Sequence, residues 1–502
     1  MSLRALTCPL ALAISLCISS TAALSSSSRW YNLALHPSPN KRFLVDNTGA
    51  PFFWLADTAW ELFHALNSSE VDTYLSDRAS KGYTVIQAVA IAENDGLVVP
   101  NRNGDLPLVD ADPTKPVEAY FDYIDEVIDK AWTLGMRIAL VPTWGRYVSE
   151  GYHGPPVIFD EDNARVFGEY IGKRYAGLPK ILGGDSNRFW GPWLELSSHA
   201  KPSLDQDISM VALTDTGAVW SALANGIRAH EGPTAFLTYH STVTWLAGTP
   251  SALASSFFGH EPWLTMDAVQ SGHNIGHDTY VVTTPPAGSW VAMKNYEPVE
   301  IMYSRVPTRP VIDLENHYED WPGIDGQRWN ASLVRNGAWH AVFAGAAGHV
   351  YGCHPMWQFY DPARNASYRG AKPTRDWRTA LSFDGARQMG HVRRFIEDRS
   401  TYLTRVPDQS IVTSYDWDSV DRVSGTRDSG GKWLAVYSPR GVLFMADTTK
   451  LVASGQLAAS WYDPRNGTYT AIPGIVEWSM NITFRPPSTG TTDSDWVLLV
   501  EA

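Results

Sequence analysis

Two short segments hold residues able to do chemistry together. Ile181-Leu182-Gly183-Gly184-Asp185 and Arg309-Pro310-Val311-Ile312-Asp313-Leu314-Glu315 each run through apolar residues into a carboxylate. In an alternating β/α chain such a run is a buried strand, and its last residue stands at the end where barrel enzymes keep their chemistry. Hydrolysis of a glycosidic bond needs two acids there. One is protonated, to release the leaving oxygen; the other is ionised, as nucleophile or as base for water. Asp185 and Glu315 fit that division. The paired glycines before Asp185 are expected to let backbone and sugar approach closely.

Other strand ends supply a wider set of candidates. Asp57, Gln87, Asn94, Trp144, His240, Gln270, His273, His317, His354 and Trp357 all stand where substrate contacts are expected. Glu319, four residues past Glu315, is a second possible acid or a contact to substrate or an Arg. Asp57 suits either a sugar hydroxyl or an anchor for the first loop. Trp144 and Trp357 are the expected sugar-stacking faces.

Placing these residues requires the elements around them. Short apolar runs at 51–56, 83–91, 136–142, 180–182, 234–239, 263–269, 309–314 and 349–352 read as strands. Helical spacing separates them at 70–81, 119–134, 160–175, within 209–231, and at 333–344. The 119–134 stripe carries Tyr120, Ile124, Val127, Ile128 and Ala131 and stops at Gly135, and Asp160 is the expected N-cap of the next helix. Continuous apolar strands alternating with helices predict a parallel sheet buried on both faces. Eight βα units predict an α/β chain built on a (β/α)8 TIM barrel. A doubly wound sheet would want a Gly-rich phosphate loop after the first strand, and Asp57-Thr58-Ala59-Trp60 is not one.

From about residue 400 the texture changes. Strands at 433–437, 442–446, 458–462 and 496–500 are separated by turns such as Pro464-Arg465-Asn466-Gly467. The expected organisation is a signal peptide at 1–23, a catalytic barrel at 29–395 and a small all-β sandwich at 400–502.

Metal chemistry is the rival use of the histidines. No His-x-His pair and no His-Glu-x-x-His helix occurs, so no metal ligand and no cofactor is expected, with a metal-dependent barrel hydrolase kept as an alternative. The chain has no Gly-x-Ser-x-Gly elbow, which argues against esterase chemistry.

The totals agree with a carbohydrate-active secreted enzyme. Fifty-three acidic against 40 basic residues give a formal net charge of −13, which argues against nucleic acid and anionic membrane as partners. A count of 21 Trp, 22 Tyr and 17 Phe favours packing first and sugar stacking second. Arg4, the apolar stretch 5–18 and the small residues Ser20-Thr21-Ala22-Ala23 read as a cleaved secretory leader, which predicts an extracellular protein. Cleavage removes Cys8 and Cys17 and leaves Cys353 without an intrachain partner. Sequons at Asn67, Asn330, Asn365, Asn466 and Asn481 fit a glycoprotein. A monomer is expected.

These residues together resemble a known family. The opening run Phe43 to Trp60, the segments Tyr74 to Gln87 and Tyr170 to Pro179, Leu182-Gly-Gly-Asp185, Gln270-Ser-Gly-His273 and Pro310 to Glu319 look like apiosidase-like barrel proteins of glycoside hydrolase family 140, a DUF4038-type barrel. Ala459 to Gly467 looks like the collagen-binding-type β domain that follows such barrels. The resemblance implies a retaining hydrolase of plant cell-wall polysaccharide, with apiosyl-bearing pectic side chains as substrate. It makes Asp185 the acid/base and Glu315 the nucleophile. The chain departs from the family pattern in the short Lys180-Ile-Leu strand before Gly-Gly-Asp and in Leu314, where the family has Gly. The negative chain would repel galacturonate, which favours a less acidic substrate such as another furanoside. A non-catalytic carbohydrate- or matrix-binding protein using the β domain is the alternative from another class.

Overall fold

The apolar runs must be buried on both faces, and closing them into a ring achieves this. The computed structural model describes residues 29–149, 156–186, 216–241, 253–273, 294–322, 328–364, 372–414, 421–452, 456–474 and 476–502. The expected leader and the Asn365 sequon lie outside the described residues. The ring strands are β1 (Trp54–Thr58), β2 (Val85–Ile91), β3 (Arg137–Thr143), β4 (Lys180–Ser186), β5 (Leu237–Ser241), β6 (Asp267–Gln270), β7 (Val311–Glu315) and β8 (Gly348–Cys353). Every residue of β2 and β3 is buried, as in a sheet with helices outside and packed side chains within.

Pairing follows sequence order. β1 to β5 are parallel neighbours, β6 pairs with β7, and β8 returns to β1 with Gly348 opposite Trp54. Two backbone hydrogen bonds complete the ring. Thr265 N–H, just before β6, donates to the Leu237 carbonyl, and Ala347 N–H donates to the Val311 carbonyl, both at 2.8 Å. The chain is a (β/α)8 barrel, with Asp185 at the end of the fourth strand and Glu315 at the end of the seventh.

Several elements differ from the sequence reading for identifiable reasons. The fifth strand starts at Leu237 because Gly232–Thr234 forms a 3-10 turn around Pro233. The fourth strand is longer than Lys180-Ile-Leu and runs to Ser186. Its charged first residue is fully buried: Lys180 pairs with Glu231, at the end of helix Gly217–Glu231, and donates to the Tyr175 carbonyl at 2.8 Å. Helix Asp384–Glu397 has no counterpart in the sequence reading. Its interleaved Arg and Gln conceal an apolar stripe of Ala386, Met389, Val392 and Ile396, all buried.

The C-terminal region is a β-sandwich. Six antiparallel strands (Arg405–Pro407, Ser424–Asp428, Trp433–Ser438, Trp496–Glu501, Ala458–Asp463 and Thr468–Ala471) form one sheet, and Phe444–Ala446 with Ile482–Phe484 faces it. Alternation along Trp433–Ser438 divides the side chains. Trp433, Ala435 and Tyr437 join the barrel core, and Leu434 and Val436 join the sandwich core. Trp339 of the barrel stacks on Tyr437 with ring centroids 5.8 Å apart. Arg335 grips Asp495 with two hydrogen bonds of 2.8 and 2.6 Å and reaches Asp493 at 2.9 Å. No helix among the described residues is long and apolar enough to cross a membrane.

Arg335 and Asp495 are both buried, so removing one strands the other. Arg335→Met is expected to cost ~3–5 kcal/mol. It should lower the stability of barrel and sandwich together in a single urea transition. A barrel transition unchanged beside a separately melting sandwich would contradict this coupling.

Candidate active site

Glu315 sits at the top of β7 as a buried carboxylate between two imidazoles. His240 Nε2, from β5, is 3.2 Å from one carboxylate oxygen, and His273 Nε2, just past β6, is 3.0 Å from the other. Each ring is fixed from behind. His240 Nδ1–H donates to the Ser241 carbonyl at 3.1 Å, and His273 Nδ1–H donates to the Asn316 carbonyl at 2.9 Å. A carbonyl only accepts, so each Nδ1 carries its proton, and the Nε2 contact with a carboxylate is attractive when that nitrogen is protonated too.

The electrostatics follow from this. Burial pushes the Glu315 carboxyl up, but the hydrogen bonds and positive charges of His240 and His273 outweigh it and hold the group well below the glutamate range. Burial pulls His240 down, but Glu315, and behind it Asp185, raise it overall. Tyr318 is raised by burial and by the charges of Glu315 and Asp185, so its phenol stays protonated. Both carboxylates therefore act on His240 and on Tyr318. Glu315 is buried, whereas Asp185 is half-buried.

Each acid is carried by a break in its strand. On β4, Gly183 stands opposite His240 and Ser186 opposite Ser241, so Gly184 and Asp185 bulge out as two extra residues. On β7, Asp313 stands opposite Val269 and Glu315 opposite Gln270, leaving Leu314 as the extra residue. Bulges re-aim side chains in this way beside active sites. Asp185 itself is left-handed, with φ +53°, a conformation uncommon outside glycine.

The glycines have a different use from the one expected. A Cβ on Gly184 would lie 2.5 Å from the Trp144 indole, and one on Gly183 would lie 2.3 Å from the His240 carbonyl. They make room for protein neighbours rather than for sugar.

A hydrogen-bonded network holds the His273 loop. Asp313 accepts from the Ser271 hydroxyl at 2.7 Å, the Ser271 amide at 3.2 Å and Asn295 at 3.0 Å, and Asn316 donates to Ser271 at 2.6 Å. Tyr318 and Trp321 enclose the His273 ring, with centroids 4.2 and 4.4 Å away.

Residues 38–402 match the family model described as "Apiosidase-like, catalytic domain", and residues 406–501 match "Putative collagen-binding domain of a collagenase". The chain belongs to the apiosidase-like family. It is similar to a glycoside hydrolase family 5 structure from Bacteroides vulgatus ATCC 8482, at 28% identity over 95% of each chain with a TM-score of 0.78. It is also similar to a structure described as "Glycoside hydrolase", at 28% identity over 95% of this chain and 98% of that one, with a TM-score of 0.75. No curated protein matches. Fold and relatives together make this apiosidase-like chain a glycosidase.

Within the apiosidase-like barrel, several expected substrate residues have other partners. Asp57 is fully buried and accepts from Arg78 Nε at 2.5 Å and from the Tyr74 hydroxyl at 2.6 Å, so it anchors helix Ser68–Ser80 instead of a sugar. Glu319 accepts from Tyr351 at 2.6 Å and from the Gly385 amide at 3.3 Å, capping the last barrel helix. His317 stacks on Trp329 at 4.0 Å, and burial with the nearby histidines keeps it neutral. Trp144 is buried between Trp60 and His240 at centroid distances of 5.2 and 6.0 Å, and Trp357 is buried as well, so neither offers an open stacking face. His354 is buried edge-on against Trp321, 4.6 Å between centroids.

Gln87 and Gln270 are buried. Gln270 stands opposite Glu315 in the ladder, and its side-chain oxygen has no hydrogen-bond partner among the described residues. Leu314 is buried in the barrel core. Among the described residues no group of three or more His, Cys, Asp and Glu is arranged to hold a metal ion.

The sequence reading missed Trp60, Tyr318 and Trp321. The last two lie in or beside the segment that carries Glu315, and their signal was aromatic density just past that strand end.

The two imidazoles together hold Glu315 ionised, so removing either weakens the opposition to burial. In His273→Ala or His240→Gln the acid limb of kcat/KM should move up in pH, toward the ordinary glutamate value of 4.5. The sign follows from reading Glu315 as the nucleophile, whose ionised form works and is lost to protonation as pH falls. An acid limb that stays in place in both variants would count against the clamp. Gly184→Ala should cost ~1–3 kcal/mol through the Trp144 clash and lower kcat, read by denaturant unfolding and steady-state assay.

Proposed function

We propose that the chain is a secreted, retaining glycosidase acting on plant cell-wall pectic polysaccharide, with apiosyl or other furanosyl side-chain linkages as the bond cleaved. The observation that carries this reading is the buried Glu315 carboxylate held ionised by His240 and His273. An anion fixed at a strand end suits attack on an anomeric carbon. Asp185, half-buried at the β4 bulge, protonates the departing oxygen and then takes a proton from the incoming water. The sugar–oxygen bond breaks as the Glu315–carbon bond forms, and water later displaces Glu315. Trp321, half-buried beside His273, is a candidate face for a sugar ring.

Secretion rests on the leader pattern and the sequons. The β domain is read as a structural brace, because one face of its sheet packs on the barrel.

Asp185→Asn and Glu315→Gln should each lose activity on pectic oligosaccharides by factors on the order of 10²–10⁴ or more. The first product released by the wild type should keep the anomeric configuration of the substrate, as read by NMR. Near wild-type rates in either variant, or an inverted product, would falsify the assignment.

A further inference from the structure

One exposed apolar cluster on the β domain has no role in the barrel. Trp478 is 58% exposed and Met480 61% exposed. They flank Ser479, whose amide donates to the Thr448 hydroxyl at 2.9 Å and whose carbonyl accepts from the Thr448 amide at 3.0 Å. The segment is therefore tethered inward at Ser479 and presents Trp478 and Met480 outward. The Trp478 indole N–H donates to the Leu451 carbonyl at 3.0 Å, which fixes the ring in place. The ring is thus held in one orientation with more than half its surface open to a cover.

The next residue is Asn481, the acceptor of an Asn-Ile-Thr sequon. Its carboxamide is exposed and enters no hydrogen bond among the described residues. Thr483, which completes the sequon, is exposed on strand Ile482–Phe484. The other described sequons differ. Asn67 and Asn330 cap helices through their side-chain oxygens. Asn466 donates to Asp463 at 3.1 Å and accepts from Thr468.

We propose that Asn481 is an N-glycosylation site whose first sugars lie over Trp478 and Met480. The apolar face is thus covered by the chain's own glycan. This rests on the secretory reading above. In the transfer, Asn481 Nδ2 forms a bond to the anomeric carbon of a lipid-pyrophosphate-linked oligosaccharide. The carbon–oxygen bond to pyrophosphate breaks, lipid pyrophosphate leaves with the electron pair, and Nδ2 loses one proton.

The test uses the full chain secreted from eukaryotic cells. Peptide mass spectrometry reads occupancy at every sequon, and hydroxyl-radical footprinting reads oxidation of Trp478 before and after enzymatic removal of the glycan. The expected result is sugar at Asn481 and a several-fold rise in Trp478 oxidation once it is removed, with the same rise in Asn481→Gln. A bare Asn481 beside occupied sequons overturns the site. Unchanged Trp478 oxidation overturns the cover. Binding of Asn481→Gln to plant polysaccharide, lost on adding Trp478→Ala, assigns the face to a ligand and overturns the proposal. A chain that keeps its leader and carries no sugar at any sequon overturns the secretory reading, and this site with it.

Discussion

A carboxylate buried at the end of a strand must be compensated, and the rest of the site is arranged around that need. An isolated ionised group in the interior costs several kcal/mol. Glu315 is compensated by His240 from β5 and His273 from the loop after β6, each locked by a backbone carbonyl at its far nitrogen. Three consecutive strand ends must therefore register together. The Asp313–Ser271–Asn316 network ties β7 to the His273 loop, so the same strand that carries the acid also orders one of its partners.

The barrel sets coarse position, and the bulges set aim. Regular parallel strands would leave residue 185 opposite the β5 ladder instead of projecting beyond it. The two-residue bulge on β4 lifts Asp185 out of the ladder, and the one-residue bulge at Leu314 shifts the register so that Glu315 stands opposite Gln270. The left-handed Asp185 is held there by close packing of Gly184 on Trp144 and of Gly183 on His240.

Much of this was legible in the residues. The eight apolar runs, the positions of Asp185 and Glu315 on the fourth and seventh strands, and the N-cap at Asp160 follow from periodicity and local chemistry. What stayed hidden depends on distant partners. Nothing near Asp57 in sequence signals that Arg78 and Tyr74 occupy it, and nothing near Glu319 signals Tyr351 and Gly385. Strand-end position alone cannot separate a polar residue facing substrate from one facing a neighbouring helix. Trp144 misled for a similar reason: the open face expected of it is covered by the glycine bulge that the same reading assigned to sugar.

The Trp433–Ser438 strand serves two masters. Its odd residues belong to the barrel core and its even residues to the sandwich core. A one-residue insertion there would swap the two sets of side chains and unseat both cores at once. One strand thus closes two cores, and the barrel loses part of its packing if the β domain is removed.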